Sequence, residues 1–246
     1  MSVSQSVIAL SNQQLAAVRA MVGDMAPPLE GPGRPTCALF LTIVEQFEAA
    51  LLLVRAGLAT HGGVHVRSML EVLVNLRRLC LDSDHVHRMK FEQLRGEKRL
   101  YERMLAFPDL PAEQKAFLDG RLAQCMARYQ PIADGLSKAE RAASAVDNFT
   151  AAGLSDMVMH YTLLCSFSHN DLAALALRHQ GETGMTLRAR DPEDVVFLVL
   201  SLAHFALVCG AEPLPTVARF PDGAFASHMG KMVALQDRVM AHAGMV

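Results

Sequence analysis

Apolar residues recur at helical spacing along almost the whole chain, and no stretch alternates with the two-residue period of a strand. The spacing predicts a first helix over residues 12–22. A loop follows over 26–35, where Pro27, Pro28, Gly31, Pro32, Gly33 and Pro35 cluster. A second helix is predicted over 36–58, with Gly62 and Gly63 marking the turn into a third over 64–81. Asp82, Ser83 and Asp84 then offer an N-cap for a fourth.

From residue 85 to 129 the pattern changes. Lys90, Glu92, Arg95, Glu97, Lys98, Arg99, Glu102 and Arg103 crowd one mixed-sign helix, residues 107–111 break it, and a second amphipathic helix follows. This predicts a long helical hairpin with one well-solvated face, able to protrude or to pack on a protein partner. Ser137 and Glu140 have capping-box spacing for a short helix. Residues 156–169 form the next strong helix, and 171–179 continue it or follow a kink. Gly181 to Gly184 reads as a turn.

Asp191, Pro192, Glu193 and Asp194 have the order of a helix start: an N-cap, a proline at the first position, and acids against the positive dipole end. That helix runs to Gly210 as its C′ glycine, and a last helix covers 225–243. The fold class is therefore all-α, a single-domain helical bundle of about eight helices with a long charged hairpin. Residues 1–35 are the N-terminal helix and Pro/Gly-rich loop, and 36–246 the bundle domain.

Composition narrows the picture. With 246 residues, half of them apolar and a fifth charged, the chain can bury a real core. A formal net charge of -2 gives no overall footprint for nucleic acid, so RNA as a partner finds no support in the total. The five cysteines are scattered and form no CxxC pair, which suits small buried thiols in a reducing cytoplasm. Residues 1–10 lack the pattern of a signal peptide. The most apolar run, 195–209, is shorter than the roughly 20 residues of a membrane span, so a core helix and no membrane are expected.

Two helices carry polar groups where apolar ones prevail. In the third, Arg67 and Glu71 stand four residues apart, with Asn75 and Arg78 close to the same line. Such a stripe on a largely buried helix needs partners or a cavity. In the helix over 156–169, Tyr161, Cys165, Ser168 and His169 share one sector. The two sets could satisfy each other.

The Arg67-x-x-x-Glu71 pair, the earlier Glu45 and Gln46, and the later Tyr161, Ser168 and His169 together resemble a bacterial all-helical family of unknown function, DUF5677. The resemblance spans about residues 36–179. It implies a helical bundle with Arg67, Glu71 and His169 in one polar site. A looser similarity runs to the HEPN class, many of whose members are metal-independent ribonucleases or defence toxins completed across a dimer. Their motif places an arginine a few residues before the histidine, and no arginine directly precedes His169 here. A related chemistry would draw its positive charge from Arg67 on another helix.

Other constellations are weaker. Asp82, Asp84, His85 and His87, and the pair His61 and His65, have metal-capable side chains without a zinc-site spacing. Glu45, Glu48 and Glu71 lack the Glu-x-x-His partners of a di-iron bundle. Ser201 and His204 read as a back-bonded serine and a satisfied core histidine. No metal and no cofactor is expected.

Two functions follow. The first is a non-catalytic module, a homodimer, whose hairpin meets a protein partner and whose Arg67–Glu71–His169 cluster ties helices together. The second is a metal-independent ribonuclease or toxin. There His169 acts as acid or base, Arg67 binds phosphate, Glu71 orients Arg67 or His169, Tyr161 donates to a phosphate oxygen, and Ser168 completes the site.

Overall fold

The computed structural model describes residues 2–31 and 33–245. Among these residues there are eleven α-helices, in place of the expected eight: α1 (Val3–Asp24), α2 (Gly33–Arg55), α3 (Ala59–Leu81), α4 (His85–Leu105), α5 (Ala112–Gly135), α6 (Lys138–Ala142), α7 (Ala145–Ala151), α8 (Val158–His169), α9 (Leu172–His179), α10 (Glu193–Ala211) and α11 (Ala224–Met240). The chain is all-α but for a two-residue antiparallel pair, Gln180–Gly181 with Gly184–Met185, closed by the expected glycine turn. The surplus helices are short. Residues 171–179 separate as α9 because Asn170 adopts a left-handed conformation and Asp171 caps the next helix by accepting from the Ala174 N–H.

The helices form two compact units: residues up to Leu81 with those from Phe149 on, and Asp82–Asn148. In the first, α10 packs on α1, α2, α3 and α11. A helix touched on so many sides must be apolar nearly all round, and Val199, Leu200, Ala203, Ala206 and Leu207 are all buried. Both α2 and α10 are long and apolar enough to cross a membrane, yet most of the α10 window lies inside this core.

Gly62 and Gly63 do not turn the chain. They lie within α3, and the turn falls at Gly57, whose φ of +71° only glycine adopts cheaply. Their role is close approach. A Cβ on Gly62 would meet Ala50 O of α2 at 3.1 Å, and one on Gly63 would meet the Phe167 ring of α8 at 2.6 Å.

Asp191 was expected to cap α10. Pro192 holds that position instead, and Asp191 Oδ2 accepts from the Ala59 N–H at 2.8 Å, at the start of α3. Asp84 likewise sits at the N-cap of α4 without a capping side-chain bond; its own N–H donates to Asp82 Oδ1.

The second unit contains the hairpin of α4 and α5. Phe91 stacks on Tyr129, Cys125 donates to Leu94 O and Arg121 donates to Tyr101, so the helices run antiparallel along one seam. The hairpin is longer than expected, because α5 continues past Tyr129 and through Pro131 to Gly135. Proline removes the N–H that would bond Ala127 O, but both residues are exposed, so water can meet that carbonyl. Ser137 and Glu140 form the expected capping box on α6.

Candidate functional site

Helix α8 lies against α3 where Gly63 admits Phe167 and Leu164. One turn further along α3, Arg67 donates from one terminal nitrogen to Glu71 Oε1 at 2.8 Å and to Tyr161 Oη at 3.3 Å. Tyr161 in turn donates to the same Glu71 oxygen at 2.9 Å. The guanidinium also stands 5.4 Å from the centroid of the Tyr161 ring, whose other neighbour is Phe149 at 5.0 Å. The trio thus closes a three-membered ring of hydrogen bonds across two helices. Asn75 extends the stripe by donating to Glu71 O.

The electrostatics fix the roles. Burial pushes the Tyr161 phenol above its ordinary pKa, so it keeps the proton it donates. The Tyr161 hydrogen bond and the Glu71 charge raise Arg67 in spite of its own burial. Arg67 Nε is buried and, among the described residues, has no acceptor.

The expected cluster is only partly assembled. Arg67, Glu71 and Tyr161 meet, but the Arg67 side chain is 26% and the Glu71 side chain 44% exposed, so the pair is not sealed. His169 is exposed at the C-terminal end of α8 and makes no hydrogen bond among the described residues. It stands eight residues beyond Tyr161, roughly 12 Å along the helix axis. Ser168 donates back to Leu164 O at 3.3 Å within its own helix. The reason is geometric: eight residues are about two helical turns, which carry His169 along the α8 axis past the contact that Tyr161 makes with Arg67.

Arg178 is the side chain that sequence reasoning missed. Its Nε donates to Thr60 Oγ1 at 2.9 Å, one terminal nitrogen to Asn170, and the other to Phe167 O at 2.8 Å. It ties α9, the α8 end and the start of α3 together. Nothing in its own segment signals that role.

The weaker constellations resolve plainly. His65 Nδ1 meets Gln46 Oε1 at 2.6 Å, and no group of three metal-capable residues gathers among the described residues. The five cysteines are free thiols. Ser201 bonds back to Leu198 O, as expected. His204 is wholly buried, and its Nε2 lies 2.9 Å from Ser11 Oγ. Ser11 gives its only hydroxyl hydrogen to Val7 O, so Nε2 is the donor and Nδ1 is left with no partner among the described residues.

An all-helical chain with an Arg67–Glu71–Tyr161 ring between α3 and α8 can now be placed in a class. It belongs to the Family of unknown function (DUF5677), whose model matches residues 34–185. That span holds the trio, the hairpin and the Arg178 brace. No curated protein and no solved structure matches the chain.

Proposed function

We propose that this protein is a non-catalytic helical interaction module that pairs with a second copy of itself through the loop end of the α4–α5 hairpin. The observation that carries the reading is an apolar tip: Phe107 is 67%, Phe117 66% and Leu100 55% exposed, with Met104 beside them. Exposed aromatic side chains near one end of a hairpin suit a contact surface. The unit behind it is well braced, with Phe91, Leu94, Leu118 and Cys125 buried in the seam.

Charge favours a like copy over a strongly charged partner. The hairpin carries nine basic and seven acidic residues from His85 to Gly135, close to balance. Near the tip, α4 carries Lys98, Arg99 and Arg103 beside Glu97 and Glu102, whereas the turn and α5 carry Asp109, Glu113 and Asp119 beside Lys115 and Arg121, with Lys98–Glu102 and Lys115–Asp119 paired within their own helices. A two-fold contact that lays α4 of one copy on α5 of the other sets a slightly basic segment against a slightly acidic one, twice over. Five free thiols fit a reducing cytoplasm as the setting.

The Arg67–Glu71–Tyr161 ring serves this reading as a clasp between helices. One terminal nitrogen of Arg67 and the Tyr161 hydroxyl are committed to the ring, and the histidine that a nuclease would need stands apart on the surface. Ribonuclease action through His169 and Arg67 is the second reading, and no contact between those residues favours it. Solution mass tests the first reading: the wild-type chain is expected to be a dimer, and Phe107→Asp with Phe117→Asp a folded monomer. A monomeric wild type at micromolar concentration and above would overturn it.

A further inference from the structure

A cleft of about 350 Å³ opens in the first unit, where α2 ends, α3 begins and the chain after α9 returns. Thr60, His61, Arg178, His179, Arg188 and Asp191 line its polar side. Leu58 and Leu187 supply an apolar rim. The volume is in the range of small-molecule sites and larger than a bare ion needs.

Its charge is unbalanced. Arg178 is held by three neutral oxygens, on Thr60, Asn170 and Phe167, and Arg188 reaches only Ala56 O at 3.4 Å. Neither arginine forms an ion pair among the described residues. The one acid in the lining, Asp191, spends an oxygen on the Ala59 N–H. Two guanidinium charges therefore face one carboxylate, at the positive end of α3. His61 feels this field: burial lowers its pKa, Arg178, His179 and Arg188 lower it further, and Asp191 alone opposes them.

The donors suit phosphate. Each terminal nitrogen of Arg178 gives one hydrogen to the protein and keeps a second, and its bracing fixes the plane of the fork. Arg188 is exposed and its outer nitrogen is uncommitted among the described residues. His179 Nδ1 lies 3.2 Å from Thr186 O and so carries a hydrogen directed at that carbonyl. His61 is an exposed member of the same lining.

We propose that this cleft binds a phosphate group carried by a small molecule, with Arg178 and Arg188 holding the phosphate, His61 and His179 as adjustable donors, and Leu58 and Leu187 against the rest of the ligand. The site lies in the first unit and the self-association surface in the second, so either can fail without the other.

The test follows the imidazole resonances of His61 and His179 in the full chain, titrated with inorganic phosphate and with adenosine monophosphate at constant ionic strength. Both signals are expected to move saturably at millimolar ligand or below, and the His61 imidazole to hold its proton to higher pH when ligand is bound. The monophosphate ester is expected to bind at least about tenfold tighter than inorganic phosphate, because only it can use the apolar rim. Arg188→Gln is expected to weaken binding about tenfold or more with an unchanged melting temperature, since that side chain makes a single long bond. Equal movement with chloride, or no saturable movement with either phosphate compound, would overturn the site. Equal affinity for the two compounds would overturn the small-molecule part and leave free phosphate as the ligand.

Discussion

Tyr161 donates its hydroxyl to Glu71 Oε1 at 2.9 Å while accepting from Arg67 at 3.3 Å, so a single phenol joins both members of an ion pair on the neighbouring helix. The i,i+4 pair alone would contribute little at its exposure. The phenol converts it into a link between α3 and α8. Tyr161→Phe is expected to cost about 1 kcal/mol of unfolding free energy, the net value of one such hydroxyl. Arg67→Ala is expected to cost about 1–2 kcal/mol, below the 3–5 of a sealed pair, because water reaches both charges. Urea denaturation of the single and double variants should give a coupling above about 0.5 kcal/mol; strict additivity would contradict the clasp.

Close approach at Gly63 gives a second test. Alanine at an ordinary exposed helical glycine should stabilise by up to about 1 kcal/mol, and Gly120, with open space around it, is such a site. At Gly63 the added methyl would stand 2.6 Å from Phe167 Cδ2. Phe167 is itself buried, so its ring has little room to yield. Gly63→Ala is expected to destabilise by about 1–3 kcal/mol. Thermal melts of both variants should therefore move in opposite directions.

His204 makes stability depend on pH. Burial lowers its pKa from 6.5 to about 3 in the folded chain. The unfolded state therefore binds the extra proton first, and stability falls as pH drops from about 6.5 towards 3. Between pH 6.5 and 5 the loss should be about 2 kcal/mol. Urea midpoints at pH 7 and pH 5 should separate for the wild type and converge for His204→Leu. A variant with the full acid limb would locate the titration elsewhere.

His169 is expected to be dispensable for the fold. It is exposed and makes no hydrogen bond among the described residues, so His169→Ala should change stability by less than about 0.5 kcal/mol. Incubated with total RNA in EDTA, the wild-type protein is expected to leave the RNA intact. Cleavage that disappears in both His169→Ala and Arg67→Ala would restore the nuclease reading.

The fold class was legible because it rests on periodicity, and the Arg67–Glu71–Tyr161 meeting because charged residues at helical spacing in an apolar helix demand partners. Boundaries were less so. Gly62 and Gly63 look like a turn, and only the nearness of α2 and α8 shows why α3 needs them inside. Asp191 looks like the cap of the helix that follows it, but tertiary contact sends its carboxylate to α3. His169 shares a helix face with Tyr161 on paper, yet two helical turns take it past the contact. The cleft around Arg178 and Arg188 was invisible, since its residues come from segments that are linked only by the folded chain.

Self-association through the hairpin tip is read out by solution mass in sedimentation. The wild type is expected to be a concentration-dependent dimer, and the Phe107→Asp, Phe117→Asp double variant a monomer with an unchanged circular dichroism spectrum. A wild type that remains monomeric, or a double variant that still dimerises, would contradict it.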